Sequence, residues 1–190
     1  MGGAKPQQML AGRALIDHAC TWALSHGGPC AIAVRDAGQV AANALATSVP
    51  VLIDENSGIG PVSALLNAMR FARAHRCEAV MLIGCDQPFL PHDLPAQLMA
   101  AIGGSAVAMP VSGGKDQPLA SLWRLRERQV ADFIARGARS LWRLADELGA
   151  HRVEWPSTDA QHDPFANIND PASLARIAAI TSHKGRAPCA

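Results

Sequence analysis

Two short apolar runs in this 190-residue sequence deliver a carboxylate at their carboxyl ends. Val49 to Ile53 is followed at once by Asp54, and Ala79 to Ile83 by Gly84-Cys85-Asp86-Gln87-Pro88. A carboxylate just past a buried strand, followed by a turn with Pro, is placed to hold Mg²⁺ through one or two oxygens while water and phosphate complete the shell. The competing role for Asp86 is to cap the turn before Pro88, and for Asp54 to be a loop acid solvated beside Glu55. A third feature is Gly2-Gly3-Ala4-Lys5, where backbone amides and one point charge could meet a phosphate.

Other chemistries find little support. The seven histidines show no H-E-x-x-H or other metal spacing. Cys20, Cys30, Cys77, Cys85 and Cys189 form no C-x-x-C pair and are odd in number, which argues against a disulfide framework or structural zinc site and fits a reducing cytoplasm. The charged fraction is 17% and the formal net charge +1, so no broad field is available to hold nucleic acid or a membrane surface. No stretch has the ~18 apolar residues a membrane span needs. Arg124, Arg126, Arg128, Arg136, Arg139 and Arg143 could help to receive an anionic phosphate, but read first as solvated helix faces.

The elements that position these groups follow from apolar patterning. Cys30 to Val34, Val49 to Ile53, Ala79 to Ile83 and Ala106 to Met109 are continuous apolar runs suited to strands buried on both faces. Helical patterns lie between them at Leu15 to Leu24, Pro61 to Ala74 and Pro95 to Ile102. Alternation of this kind predicts an α/β fold, Rossmann-like, with a mostly parallel central sheet and helices on both faces. In such sheets ligands bind outside the carboxyl ends of the strands, where Asp54 and Asp86 stand. Pro61, after Gly58-Ile59-Gly60, suits a first helical position. Further on, Leu119 to Trp123 and His151 to Trp155 read as strands, and Arg126 to Ala135 and Ser140 to Leu148 as helices. Asp170 is the expected N-cap of a helix to about Ile180, and residues 181–190 are expected to be a disordered tail. We expect residues 1–180 to form a single domain.

Five segments in order resemble the molybdenum cofactor guanylyltransferases and their MobA-like relatives. Met1-Gly2-Gly3-Ala4-Lys5 is similar to that family's R-M-G-x-x-K, with Leu10-Ala11-Gly12-Arg13-Ala14-Leu15 after it; Asp54 with Gly60-Pro61-Val62-Ser63-Ala64-Leu65 to its D-x-x-x-G-P-L-x-G-L. Cys85-Asp86-Gln87-Pro88-Phe89-Leu90-Pro91 resembles C-D-x-P-F-L-P, and Gln117-Pro118-Leu119 resembles H-P-L. Phe165-Ala166-Asn167-Ile168-Asn169-Asp170-Pro171 resembles F-x-N-x-N-T-P-E-D-L.

The resemblance implies transfer of GMP from GTP to the terminal phosphate of molybdopterin. It implies that Lys5 binds nucleotide phosphates, Asp54 contacts the guanine nucleotide, Asp86 holds Mg²⁺, Asn167 and Asn169 face the pterin substrate or the metal, and Gln117 faces the substrate; partners would be GTP and molybdopterin, with molybdoenzymes or cofactor-delivery proteins beyond them. Arg35 stands where the family often carries Asn and could reach a phosphate or base, or be a solvated strand end. The two asparagines could instead form an Asx-turn before Asp170. The family's first strand, with L-A-G-G-x-x-x-R, is absent from these residues and is expected upstream of Met1. The alternatives are a related transferase using CTP, a sugar phosphate or an alditol phosphate, and a non-catalytic accessory protein.

Overall fold

The computed structural model describes residues 5–40, 48–54, 59–156 and 163–168. The chain enters through a 3-10 turn, Lys5–Gln7, and a two-stranded antiparallel hairpin of β1 (Met9–Leu10) and β2 (Arg13–Ala14). Its reversal places both Ala11 (φ 48°) and Gly12 (φ 78°) in the left-handed region, as a primed two-residue turn requires. Helix α1 (Leu15–Leu24) follows directly.

Strands β3 (Ile32–Val34) and β4 (Val51–Ile53) pair in parallel, with Val34 beside Ile53. Helix α2 (Pro61–Ala74) starts on Gly60, whose φ of 79° and ψ of −155° only glycine adopts readily, with Pro61 in its first turn. Then come β5 (Ala79–Ile83), α3 (Leu94–Ala101), β6 (Val107–Ser112), β7 (Lys115–Asp116), β8 (Ala120–Arg124), α4 (Glu127–Ala135), α5 (Leu141–Glu147) and β9 (His151–Glu154). Ser140 caps α5 by accepting from the Arg143 N–H.

Five of these strands form a second sheet in which β8 lies between β5 and β6, and β6 also pairs with β7 and β9. Strands β5, β6 and β9 run the same way; β8 is inserted antiparallel to β5 and β6. The α/β class expected from the alternation of apolar runs is therefore borne out, with β7 and β8 both reversed against β5, β6 and β9. The reversal of β8 was not legible, because a strand buried on both faces looks the same in either direction. Among the described residues no strand joins β3 to β5, and α2 packs across β3, β4 and β5.

Side-chain alternation gives the five-stranded sheet two cores. Val107, Met109 and Trp123 point into a cluster with Val62, Leu65 and Met69 of α2, Val130 and Phe133 of α4, and Leu141 and Leu144 of α5. Ala108, Ala120 and Leu122 point the other way, onto Leu94 and Leu98 of α3 with Trp155 and Phe165. Every residue of β6 is buried, which is why its sequence carries no polar alternation. No helix among the described residues is long and apolar enough to cross a membrane. The helix expected from Asp170 and the tail 181–190 lie outside the described residues.

Candidate functional site

Three distant pieces of chain meet over one small apolar cluster: Leu10 and Leu15 from the amino-terminal hairpin and α1, Phe89 from the loop after β5, and Ile168 from the carboxyl-terminal segment. Leu15 and Ile168 are fully excluded from solvent. Burying those side chains against one another, at about 25 cal/mol per Å² of apolar surface, brings the polar groups beside them into range. Above the cluster the Lys5 ammonium donates to Asp86 Oδ2 at 2.8 Å, joining residues 81 apart in sequence. The pair is only partly open to solvent, 28% for Lys5 and 14% for Asp86, so water screens its charges only in part.

The backbone around Asp86 is fixed on both sides. Gly84 N–H donates to Leu119 O (3.0 Å), which docks the turn onto β8, and Asp86 O accepts from Ile168 N–H (2.8 Å), which docks the carboxyl-terminal segment onto the turn. Gly84 leaves room for the carboxylate: a Cβ there would stand 2.6 Å from Asp86 Oδ1 and 3.7 Å from Gln87 Oε1. Those two oxygens thus converge on one point.

Gln87 is buried, 4% exposed. Its Nε2 donates to Phe165 O (3.2 Å) and Gln117 Oε1 (3.3 Å), while its Oε1 has no partner among the described residues. Gln117 is engaged at both ends of its amide, since Nε2 also donates to Lys115 O (3.3 Å). Phe165 packs edge-on against Trp155 at 5.5 Å. An Asx-turn at Asp163 holds the segment: Asp163 Oδ1 accepts from Phe165 N–H (3.0 Å) and from the Ser112 hydroxyl at the end of β6 (2.8 Å). Asn167 is exposed between the two anchored residues Phe165 and Ile168. Asn169, Gly2 and Gly3 lie outside the described residues.

Asp54 and Arg35 stand on the other sheet, at the carboxyl ends of β4 and β3. Asp54 is buried; its N–H donates to Val34 O (2.8 Å), and its Oδ1 accepts a short hydrogen bond from the Ser63 hydroxyl in the first turn of α2. A carboxylate there also meets the positive end of the helix dipole. The solvated loop acid considered for Asp54 is thereby excluded. Arg35 is exposed, and its N–H donates to Gln39 Oε1 (2.9 Å).

Burial, and then the Asp86 charge, push the Cys85 thiol up to about 11, so it stays protonated at neutral pH and offers no thiolate nucleophile. Among the described residues no three His, Cys, Asp or Glu side chains cluster to hold a metal on their own. A cation here would rest on Asp86 and take its remaining ligands from water and phosphate. That suits a hard ion such as Mg²⁺, and Gln87 Oε1, unpartnered among the described residues and converging with Asp86 Oδ1 on one point, fits its hydration.

Of the expected site residues, then, Lys5 and Asp86 are in contact, Gln117 and the Asn167 segment adjoin them through Gln87 and Ile168, and Asp54 and Arg35 form a second group. Gln87, Gly84 and Ser63 had been given no role; only the Gly-x-Asp spacing hinted at the second.

A family model described as MobA-like NTP transferase domain matches residues 1–153. Molybdenum cofactor guanylyltransferases of Bradyrhizobium sp. (strain ORS 278) and Acidiphilium cryptum (strain JF-5) are similar to this chain. The first is 30% identical over 97% of this chain and 88% of its own length, and the second 34% over 92% and 85%. Among solved structures, molybdopterin-guanine dinucleotide biosynthesis protein A from Archaeoglobus fulgidus superposes with a TM-score of 0.74 at 20% identity, covering 94% of this chain and 91% of that one. A 2-C-methyl-D-erythritol 4-phosphate cytidylyltransferase from Thermus thermophilus gives 0.69 at 18% identity, covering 95% of each.

Proposed function

Because this chain belongs to the MobA-like NTP transferase family and is a nucleotidyltransferase, we propose that it transfers GMP from GTP to the terminal phosphate of molybdenum-molybdopterin, forming the guanine dinucleotide cofactor and pyrophosphate. The observation that carries this reading is the Lys5–Asp86 pair, 2.8 Å apart at the carboxyl end of β5. The choice of GTP and of a molybdopterin acceptor rests on what the relatives of 30–34% identity are named for.

In this reaction an acceptor phosphate oxygen attacks the α-phosphorus of GTP while the bond to the pyrophosphate oxygen breaks in line. No protein nucleophile is required, and the protonated Cys85 supplies none. The protein's contribution is position and charge. Asp86 would hold the cation, and the lack of a side chain at Gly84 leaves space beside its Oδ1. Mg²⁺, when bound, supplies positive charge to the reacting phosphate oxygens. Lys5, held beside Asp86, turns to the triphosphate and neutralises charge that develops on the leaving group. Asp54 and Arg35, at adjacent strand ends, are assigned to the guanine nucleotide. Asn167 and Asn169 are assigned to the pterin acceptor, with Gln117 supporting that face through Gln87.

The test is nucleotide choice. Purified protein given Mg²⁺, molybdenum-molybdopterin and either GTP or CTP is expected to form dinucleotide cofactor and pyrophosphate with GTP at a kcat/KM at least about 100-fold above that with CTP, a gap of about 2.7 kcal/mol. Preference for CTP, or turnover only with a sugar or alditol phosphate acceptor, overturns the guanylyl assignment.

A further inference from the structure

Gln87 presents an amide whose two ends have unequal surroundings. Phe165 O can only accept, so the amide nitrogen must face it, and this fixes Oε1 on the opposite side. There Oε1 is buried with no hydrogen-bond partner among the described residues, in a side chain only 4% exposed. An unsatisfied buried acceptor is costly and calls for a donor that arrives with a ligand. Oε1 stands 3.7 Å, and Asp86 Oδ1 2.6 Å, from the single point where a Gly84 Cβ would be. The two oxygens can therefore be no farther apart than about 6.3 Å, within reach of a path made of carboxylate–metal and metal–water bonds of about 2.1 Å each and a water hydrogen bond of about 2.8 Å.

We propose that Gln87 is an outer-shell ligand of the divalent cation at Asp86: its Oε1 accepts a hydrogen bond from a metal-bound water, while its Nε2 ties the Asn167 segment to the same site. The inference rests on the assignment of the cation to Asp86. It makes Gln87 a positioning residue that couples the metal-binding turn to the acceptor side. The Asp86 carboxylate is the direct ligand, and Gln87 orients the hydration shell, much as outer-shell partners orient ligands in other metal sites.

The probe is Mn²⁺ alone, titrated into the 190-residue chain with free ion read by electron paramagnetic resonance, so that no turnover is needed. Gln87→Met keeps length and volume without polar atoms; Gln87→Glu keeps an acceptor but loses the donor to Phe165 O. Gln87→Met is expected to weaken Mn²⁺ binding about tenfold, and Gln87→Glu to bind within about twofold of the parent or more tightly. Thermal unfolding verifies that each variant is folded, and Gln87→Leu replaces Gln87→Met if the latter is not. Parental affinity in Gln87→Met with binding lost in Asp86→Asn refutes the role of Gln87 and leaves Asp86 standing. Equal weakening in Gln87→Met and Gln87→Glu shows that only the tether matters and refutes it too. Parental affinity in Asp86→Asn overturns the metal site itself.

Discussion

Replacing Gly84 by alanine adds one methyl group at the point where the site has least room. Gly84 does not have a left-handed φ, so alanine is conformationally acceptable there, and the nearby Leu119 Cδ1, at 3.6 Å, is an ordinary contact. The obstacle is Asp86 Oδ1 at 2.6 Å. A carbon and an oxygen need at least about 3.3 Å, so the carboxylate must move by about 0.7 Å. It sits at the end of a side chain that can rotate, so the fold should tolerate the change, with less than about 1 kcal/mol lost in urea denaturation. The cation would then be held off its productive position. A misplacement of this size costs about 10- to 100-fold in rate, or about 1.4–2.7 kcal/mol of barrier. Steady-state pyrophosphate release from GTP with molybdenum-molybdopterin should show the loss in kcat. A folded Gly84→Ala protein whose kcat lies within about threefold of the parent refutes the steric reasoning, and so does one that unfolds.

Lys5→Met should lower kcat about 100-fold by removing the charge set against the phosphates, with little change in melting temperature because the amine is partly solvated; parental turnover would remove Lys5 from the site. Ser63→Ala deprives the buried Asp54 carboxylate of its hydroxyl donor and should destabilise the protein by about 1–3 kcal/mol in urea titration. The Cys20 and Cys85 thiols, each raised to about 11, should react slowly with iodoacetamide at pH 8 and accelerate toward pH 11. Their raised values also fix the sign of a stability change. The contribution is fully present below the unfolded thiol value of about 9 and falls as pH rises from there to about 11, because the unfolded chain releases those protons first. A melting temperature that rises over that range would contradict it.

Much of the fold was legible because its signals are local. Pro61 after a glycine opened α2, Leu15 to Leu24 marked α1 at both ends, and Ala79 to Ile83 marked β5. What escaped was set by partners far along the chain. The β1–β2 hairpin is two residues per strand, too short for any periodicity, and its turn is Ala11-Gly12, without the Asn or Asp before glycine that signals a hairpin. The antiparallel placement of β8 depends on its neighbours β5 and β6, which leave no imprint on its own composition.

At the site, Asp86 and Lys5 could be singled out by residue type and resemblance, but not their 2.8 Å contact, which depends on Leu10, Phe89, Leu15 and Ile168 packing beneath them. Gln87 was invisible for the same reason. A glutamine beside a motif aspartate has no meaning until Phe165 O fixes which way its amide points.

The most direct test of the central claim is Asp86→Asn, which keeps the shape and the capacity to accept from Lys5 while removing the charge that holds the cation. Parent and variant are assayed with GTP, Mg²⁺ and molybdenum-molybdopterin, and guanine dinucleotide cofactor is quantified. The account predicts product from the parent and a loss of at least about 1,000-fold in the variant, about 4 kcal/mol of barrier, with the melting temperature nearly unchanged. Parental turnover by Asp86→Asn would contradict it.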